Sequence, residues 1–150
     1  MKRYFSWLLI LLPVLWIFKN IFFGNLPTWG DAPYFYPEGL KELFAEPLTW
    51  TQRGMSFGGV NQLLWLSPIM FLMGAMHRFF GLGSDALVRI LFYFPSIIFA
   101  GISPYLLTRY LKFSKVTTFF SVLIYLLSTY YLLLIDGGQV GVALAYGLFP

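Results

Sequence analysis

The chain has 150 residues, of which 59% are hydrophobic, 21% aromatic and only 11% charged, against roughly 25% charged in ordinary globular domains. That shortfall excludes a soluble domain with the usual polar shell. The lack of cysteine excludes disulfides, thiolate zinc sites and Cys nucleophiles, and a net charge of +4 is accounted for by membrane topology, so no nucleic-acid partner is inferred.

The chain opens Met1-Lys2-Arg3 and is then apolar as far as Phe18. Residues 17–25 offer no small-x-small pair for signal cleavage, and apolar character resumes at Ile21-Phe22-Phe23 after Lys19-Asn20. The pattern predicts an uncleaved signal-anchor helix over residues 4–23, with Lys19 snorkelling to the far interface. A cleaved signal peptide is the alternative.

Residues 24–59 are polar and punctuated by Gly and Pro, and they hold four of the six acidic residues, Asp31, Glu38, Glu42 and Glu46. Between Pro37 and Pro47, the three glutamates share one helical face and Leu40, Leu43 and Phe44 the other. This predicts an amphipathic helix lying on the membrane, its acidic side a solvated face. The next apolar run, residues 63–76, contains Ser67-Pro68. It is short for a span, so a re-entrant or interfacial segment is expected.

Residues 90–108 and 116–135 contain no Asp, Glu, Lys or Arg, and each run can cross a hydrocarbon core of roughly 30 Å as a helix. Spans are placed at 4–23, 88–108 and 116–135, with another starting near Val140 and a long external loop at 24–87. If 63–76 does not span, Arg109, Lys112 and Lys115 fall on the same side as Lys2 and Arg3, as the positive-inside rule prefers. The alternative adds a span at 60–80 and inverts everything after it. The expected fold class is an all-α, polytopic transmembrane helix bundle with interfacial helices in the first external loop. The last segment, residues 140–150, is too short to span, so the sequence is expected to be the N-terminal piece of a larger protein.

The residues that could carry chemistry lie at the external face. Asp31, behind Trp29-Gly30 and just beyond the first span, has the character of a general base or of a ligand to a divalent cation such as Mg or Mn. An ordinary turn or N-cap residue is the alternative. Arg89, at the outer mouth of the second span, suits a lipid phosphate through its planar fork, or simply snorkels. Asn61 and Gln62, after the Gly-rich turn Phe57-Gly58-Gly59-Val60, could contact a sugar or cap a helix. Asp136-Gly137-Gly138-Gln139 reads as an external turn. There is no phosphate loop, no Ser-His-Asp set and no metal-ligand cluster around the single His77.

The order of short motifs adds a resemblance. Trp29-Gly30-Asp31 is followed by Glu46-Pro47-Leu48-Thr49-Trp50, Phe57-Gly58-Gly59-Val60-Asn61-Gln62, Ser67-Pro68, Gly81-Leu82-Gly83, Arg89 and Tyr105-Leu106-Leu107-Thr108-Arg109-Tyr110-Leu111. This resembles the N-terminal part of GT-C-type membrane glycosyltransferases, above all the N-terminal domain of the alpha-(1→3)-arabinofuranosyltransferase family, and also the YfhO-like membrane proteins. The resemblance covers the chain as scattered motifs. It implies a partial GT-C-like fold in a prokaryotic plasma membrane, a polyprenyl-phosphate-linked sugar as donor, and a glycan or lipid acceptor in the cell envelope. It matches Asp31 to the catalytic acid of the first external loop and Arg89, with Asn61 and Gln62, to the donor side. A glycolipid transporter or flippase, or an assembly subunit, is the competing reading.

Overall fold

The computed structural model describes residues 12–26, 40, 50–51, 59–60 and 67–150. These residues are helical except for loops and one two-residue ladder. They fall into two compact units, Met1–Tyr34 with Val88–Pro150, and Phe35–Leu87.

In the unit Phe35–Leu87, β1 (Trp50–Thr51) pairs antiparallel with β2 (Gly59–Val60), Trp50 opposite Val60 and Thr51 opposite Gly59. The sequence reads Gly58-Gly59 as a turn. Gly59 instead lies inside the ladder, opposite Thr51. Leu40 is helical and 1% exposed. It therefore lies inside the protein, where the amphipathic pattern places it on a bilayer; the rest of the predicted 38–46 helix lies outside the described residues.

The only long helix of this unit among the described residues runs over Ser67–Phe80. Ser67-Pro68 starts it rather than interrupting it, because a proline in the first turn lacks only an N–H that has no partner there. Gly81 ends it with φ +66, and the Gly81 N–H bonds the His77 carbonyl at 2.9 Å. His77 Nδ1 lies 2.9 Å from the Leu82 carbonyl, so the imidazole donates there and fastens the turn. Fourteen residues rise about 21 Å, less than a hydrocarbon core.

In the other unit, α1 (residues 12–17) and α2 (Lys19–Phe23) are separated by a turn at Phe18. These are the described part of the first predicted span; residues 1–11 lie outside the described residues. The next two spans correspond to helices long and apolar enough to cross a membrane, Ser84–Tyr110, whose first residues up to Leu87 are counted with the unit Phe35–Leu87, and Lys115–Asp136. Neither is uniform. Ser84–Val88 (α3) passes into a π-helical turn at Arg89–Tyr93 before α4 (Phe94–Tyr110). The Phe94 N–H reaches back to the Arg89 carbonyl. Pro95 follows at once: it cannot donate to the preceding turn and its ring crowds that turn's carbonyl, and the wider π turn absorbs the conflict.

Lys112, in the left-handed region at φ 58, reverses the chain after α4, and the Phe113 N–H closes the turn on the Thr108 carbonyl at 3.0 Å. Ser114 then caps α5 (Lys115–Leu126), its Oγ accepting the Thr117 N–H at 3.2 Å. The second long helix breaks at Leu127–Ser128 and resumes as α6 (Thr129–Asp136), where the sequence reads an uninterrupted span. Gly137 and Gly138, the latter at φ +73, turn the chain into α7 (Val140–Leu148), as the sequence pattern anticipates.

α4 is the centre of this unit and packs against both α5 and α7. Its buried stripe is Ser96, Ile97, Ala100, Pro104 and Thr108. Val140, Ala143 and Gly147 form the matching stripe of α7. A Cβ at Gly147 would stand 2.9 Å from the Ser96 carbonyl oxygen and 3.0 Å from the Ala100 nitrogen, so small residues bring the two backbones together. The outer faces are apolar and bare: Leu106 is 59% exposed and Ile124 70%. Only 33% of each apolar window is buried within the protein. A core helix of a soluble protein would hide most of such a surface.

Candidate functional site

The site begins at the C-terminal end of α2. The last carbonyls of a helix have no partner within it and carry the negative end of its dipole, so they attract cations. Gly24 ends α2 with its N–H on the Asn20 carbonyl. From the π turn, Arg89 lays its guanidinium across this end: one terminal nitrogen donates to the Ile21 carbonyl and the other to the Gly24 carbonyl. Around it, Phe22 stacks on Phe94 at 5.7 Å, and Phe18 meets Tyr131 edge-on at 6.1 Å. Arg89 therefore uses its fork on main-chain oxygen atoms, in the way the sequence reading assigned to a lipid phosphate. These two bonds engage two of the five N–H groups of a guanidinium.

Asp31 lies outside the described residues, as do Asn61 and Gln62. Asn61 directly follows β2. Among the described residues no three His, Asp or Glu side chains converge as a metal-holding group. Asp136 closes α6 beside the Gly137-Gly138 turn and is exposed, in keeping with its reading as a turn residue.

A second polar cluster has no counterpart in the sequence reading. Tyr131 is buried, and its hydroxyl lies 2.8 Å from Ser96 Oγ. Tyr146 stacks on Tyr125 at 4.4 Å and on Tyr131 at 5.3 Å. Ser128 Oγ lies 3.0 Å from the Tyr146 hydroxyl. The signal was present as hydroxyl-bearing residues, Tyr125, Ser128 and Tyr131, inside a run with no charges. An apolar count passes over them because tyrosine scores as hydrophobic. The buried hydroxyls of Tyr93 and Thr118 have no hydrogen-bond partner among the described residues.

Comparison with protein-family models, curated proteins and solved structures finds no match.

Proposed function

We propose that the chain forms part of a membrane-embedded glycosyltransferase of the GT-C type, which moves a sugar from a polyprenyl-phosphate donor to a glycan or lipid acceptor outside the plasma membrane of a prokaryote. In this reading residues 4–23, 88–108 and 116–135 cross the bilayer, a further span starts near Val140, and residues 24–87 form an external loop with interfacial helices. Asp31 takes the proton of the acceptor hydroxyl. The acceptor oxygen then bonds to the anomeric carbon as the bond from that carbon to the phosphate oxygen breaks. The polyprenyl phosphate leaves with the electron pair, and its charge is met by the N–H groups of Arg89 that the carbonyls leave over, with Asn61 and Gln62 on the sugar.

The observation that carries the proposal is the anchorage of Arg89. It holds the carbonyls of Ile21 and Gly24, on the segment that runs on to Asp31. By the resemblance Arg89 is matched to the leaving phosphate, and Asp31, seven positions after Gly24 in the sequence, to the base. The bare apolar helices support a bilayer as the setting. The test is Asp31→Asn in the complete protein, in membranes supplied with a polyprenyl-phosphate sugar. Asn keeps the size and turn preference of Asp but cannot take a proton. Sugar transfer should fall by roughly 10²–10⁴ at unchanged protein level. Near-normal transfer would return Asp31 to the role of a turn residue.

One observation favours a second reading. The helix Lys115–Asp136 is discontinuous, and discontinuous spans are a device of transporters. A glycolipid transporter or flippase would move its lipid equally well with Asn at position 31.

A further inference from the structure

The helix Lys115–Asp136 is broken at Leu127–Ser128. It contains neither Pro nor Gly. Sharp interruptions trace to Pro, to Gly/Ser pairs, to π-bulges, or to a side chain that enters the ladder of main-chain bonds. Only the last fits here. At Ser128 the backbone turns extended, with φ −62 and ψ 139. The Tyr131 N–H, which in a continuous helix points at the Leu127 carbonyl, meets Ser128 Oγ at 3.3 Å. Ser128 Oγ is in turn 3.0 Å from the Tyr146 hydroxyl, and that hydroxyl lies 3.4 Å from the Tyr125 carbonyl. One assignment of protons satisfies the whole set: Ser128 donates to Tyr146, and Tyr146 donates to the Tyr125 carbonyl.

Tyr125 answers in kind. Its one hydroxyl proton is shared between the Tyr146 carbonyl at 2.5 Å and the Phe149 carbonyl at 2.9 Å. The two rings lie 4.4 Å apart and only 15° from parallel. Tyr125 stands in the last turn of α5 and Tyr146 in the last turn of α7. Each hydroxyl thus serves carbonyls at the end of the other's helix. These are the groups that a broken helix exposes, and that an apolar setting without water cannot satisfy.

We propose that the break is conditional on α7: Tyr146, seated between Tyr125 and Ser128, keeps the helix interrupted, and without its hydroxyl residues 115–136 anneal into one continuous helix. The residues at the break, Leu-Leu-Ser-Thr-Tyr, are all compatible with a helix. Closing it restores main-chain bonds, two of whose groups, the Tyr131 N–H and the Tyr125 carbonyl, are now held by side chains. The two packings form a two-state element, and the docking of α7 sets which way α6 leaves the break. This inference concerns the conformation of the span and does not depend on glycosyl transfer.

The test reads the backbone at position 128 directly, from the Cα and Cβ ¹³C shifts of the full chain in lipid bilayers. Serine is labelled selectively, and the position 128 signal is identified by its loss in Ser128→Ala. The native chain should give extended-range shifts there. Tyr146→Phe keeps the ring stacking and removes the hydroxyl, and it should move position 128 to the helical range. Tyr130→Phe, which keeps the ring 5.7 Å from that of Tyr146 and removes an exposed hydroxyl, should leave it extended. If Tyr146→Phe does not fold, Ser128→Ala with labelled alanine gives the same reading, and helical shifts at position 128 are expected. Extended shifts in Tyr146→Phe, or in Ser128→Ala where that variant stands in, would overturn the proposal. So would a helical shift in Tyr130→Phe, since the effect would then not belong to Tyr146.

Discussion

Gly147→Ala places a methyl group where the structure has no room for one. The added Cβ would stand 2.9 Å from the Ser96 carbonyl oxygen, 3.0 Å from the Ala100 nitrogen and 3.3 Å from Phe99 Cβ. Two of these neighbours are main chain of α4, so relief requires α7 to shift bodily. Overpacking of this kind costs about 1–3 kcal/mol. The shift would also disturb the bond from Ser103 Oγ to the Gly147 carbonyl. Helix propensity opposes the cost, since Ala is preferred to Gly by up to about 1 kcal/mol. Gly141→Ala isolates that second term, because Gly141 lies in the same helix with nothing within 4 Å of an added Cβ. Unfolding in mixed micelles, titrated with SDS, should show Gly147→Ala destabilised by about 1–2 kcal/mol and Gly141→Ala neutral or stabilised. Equal behaviour of the two variants would refute the close approach of α7 to α4.

Two further substitutions test local steps of the fold. Arg89→Lys keeps the charge but cannot span the Ile21 and Gly24 carbonyls with one fork; it should lower stability by about 1.5–3 kcal/mol and speed proteolysis after α2, and unchanged digestion would remove the latch. Ser114→Ala deletes the cap that accepts the Thr117 N–H and should cost about 1 kcal/mol in the same titration, whereas no change would show that solvent caps α5 equally well.

The sequence makes the two long apolar helices legible because charge is what ends them: residues 90–108 and 116–135 have none, and Arg89, Arg109, Lys115 and Asp136 flank them. It does not reveal their irregularities, which have different origins. The π turn before Pro95 is local in cause, but proline also starts and kinks helices, so its outcome depends on packing. The break at Ser128 joins that residue's own capping oxygen to Tyr146, in another helix, and a short window around residue 128 contains only the first of the two. Arg89 stands out in the sequence as a forked donor at the edge of a span. Its partners, the carbonyls of Ile21 and Gly24, are invisible there because every residue has a carbonyl. Gly59 suggests a turn by composition, and only pairing with Thr51 makes it a strand residue.

The central claim is that Ser84–Tyr110 and Lys115–Asp136 cross a bilayer in opposite directions. The chain has no cysteine, so single cysteines report on an empty background. Asp85 in the first turn of the first helix, Ser114 between the two helices and Gln139 after the second are exposed. In intact cells an impermeant thiol reagent should label Asp85→Cys and Gln139→Cys, and Ser114→Cys only after the membrane is opened. Labelling of all three in intact cells would contradict the crossing of either helix, and labelling of position 114 alone would invert the orientation and restore a span at 60–80.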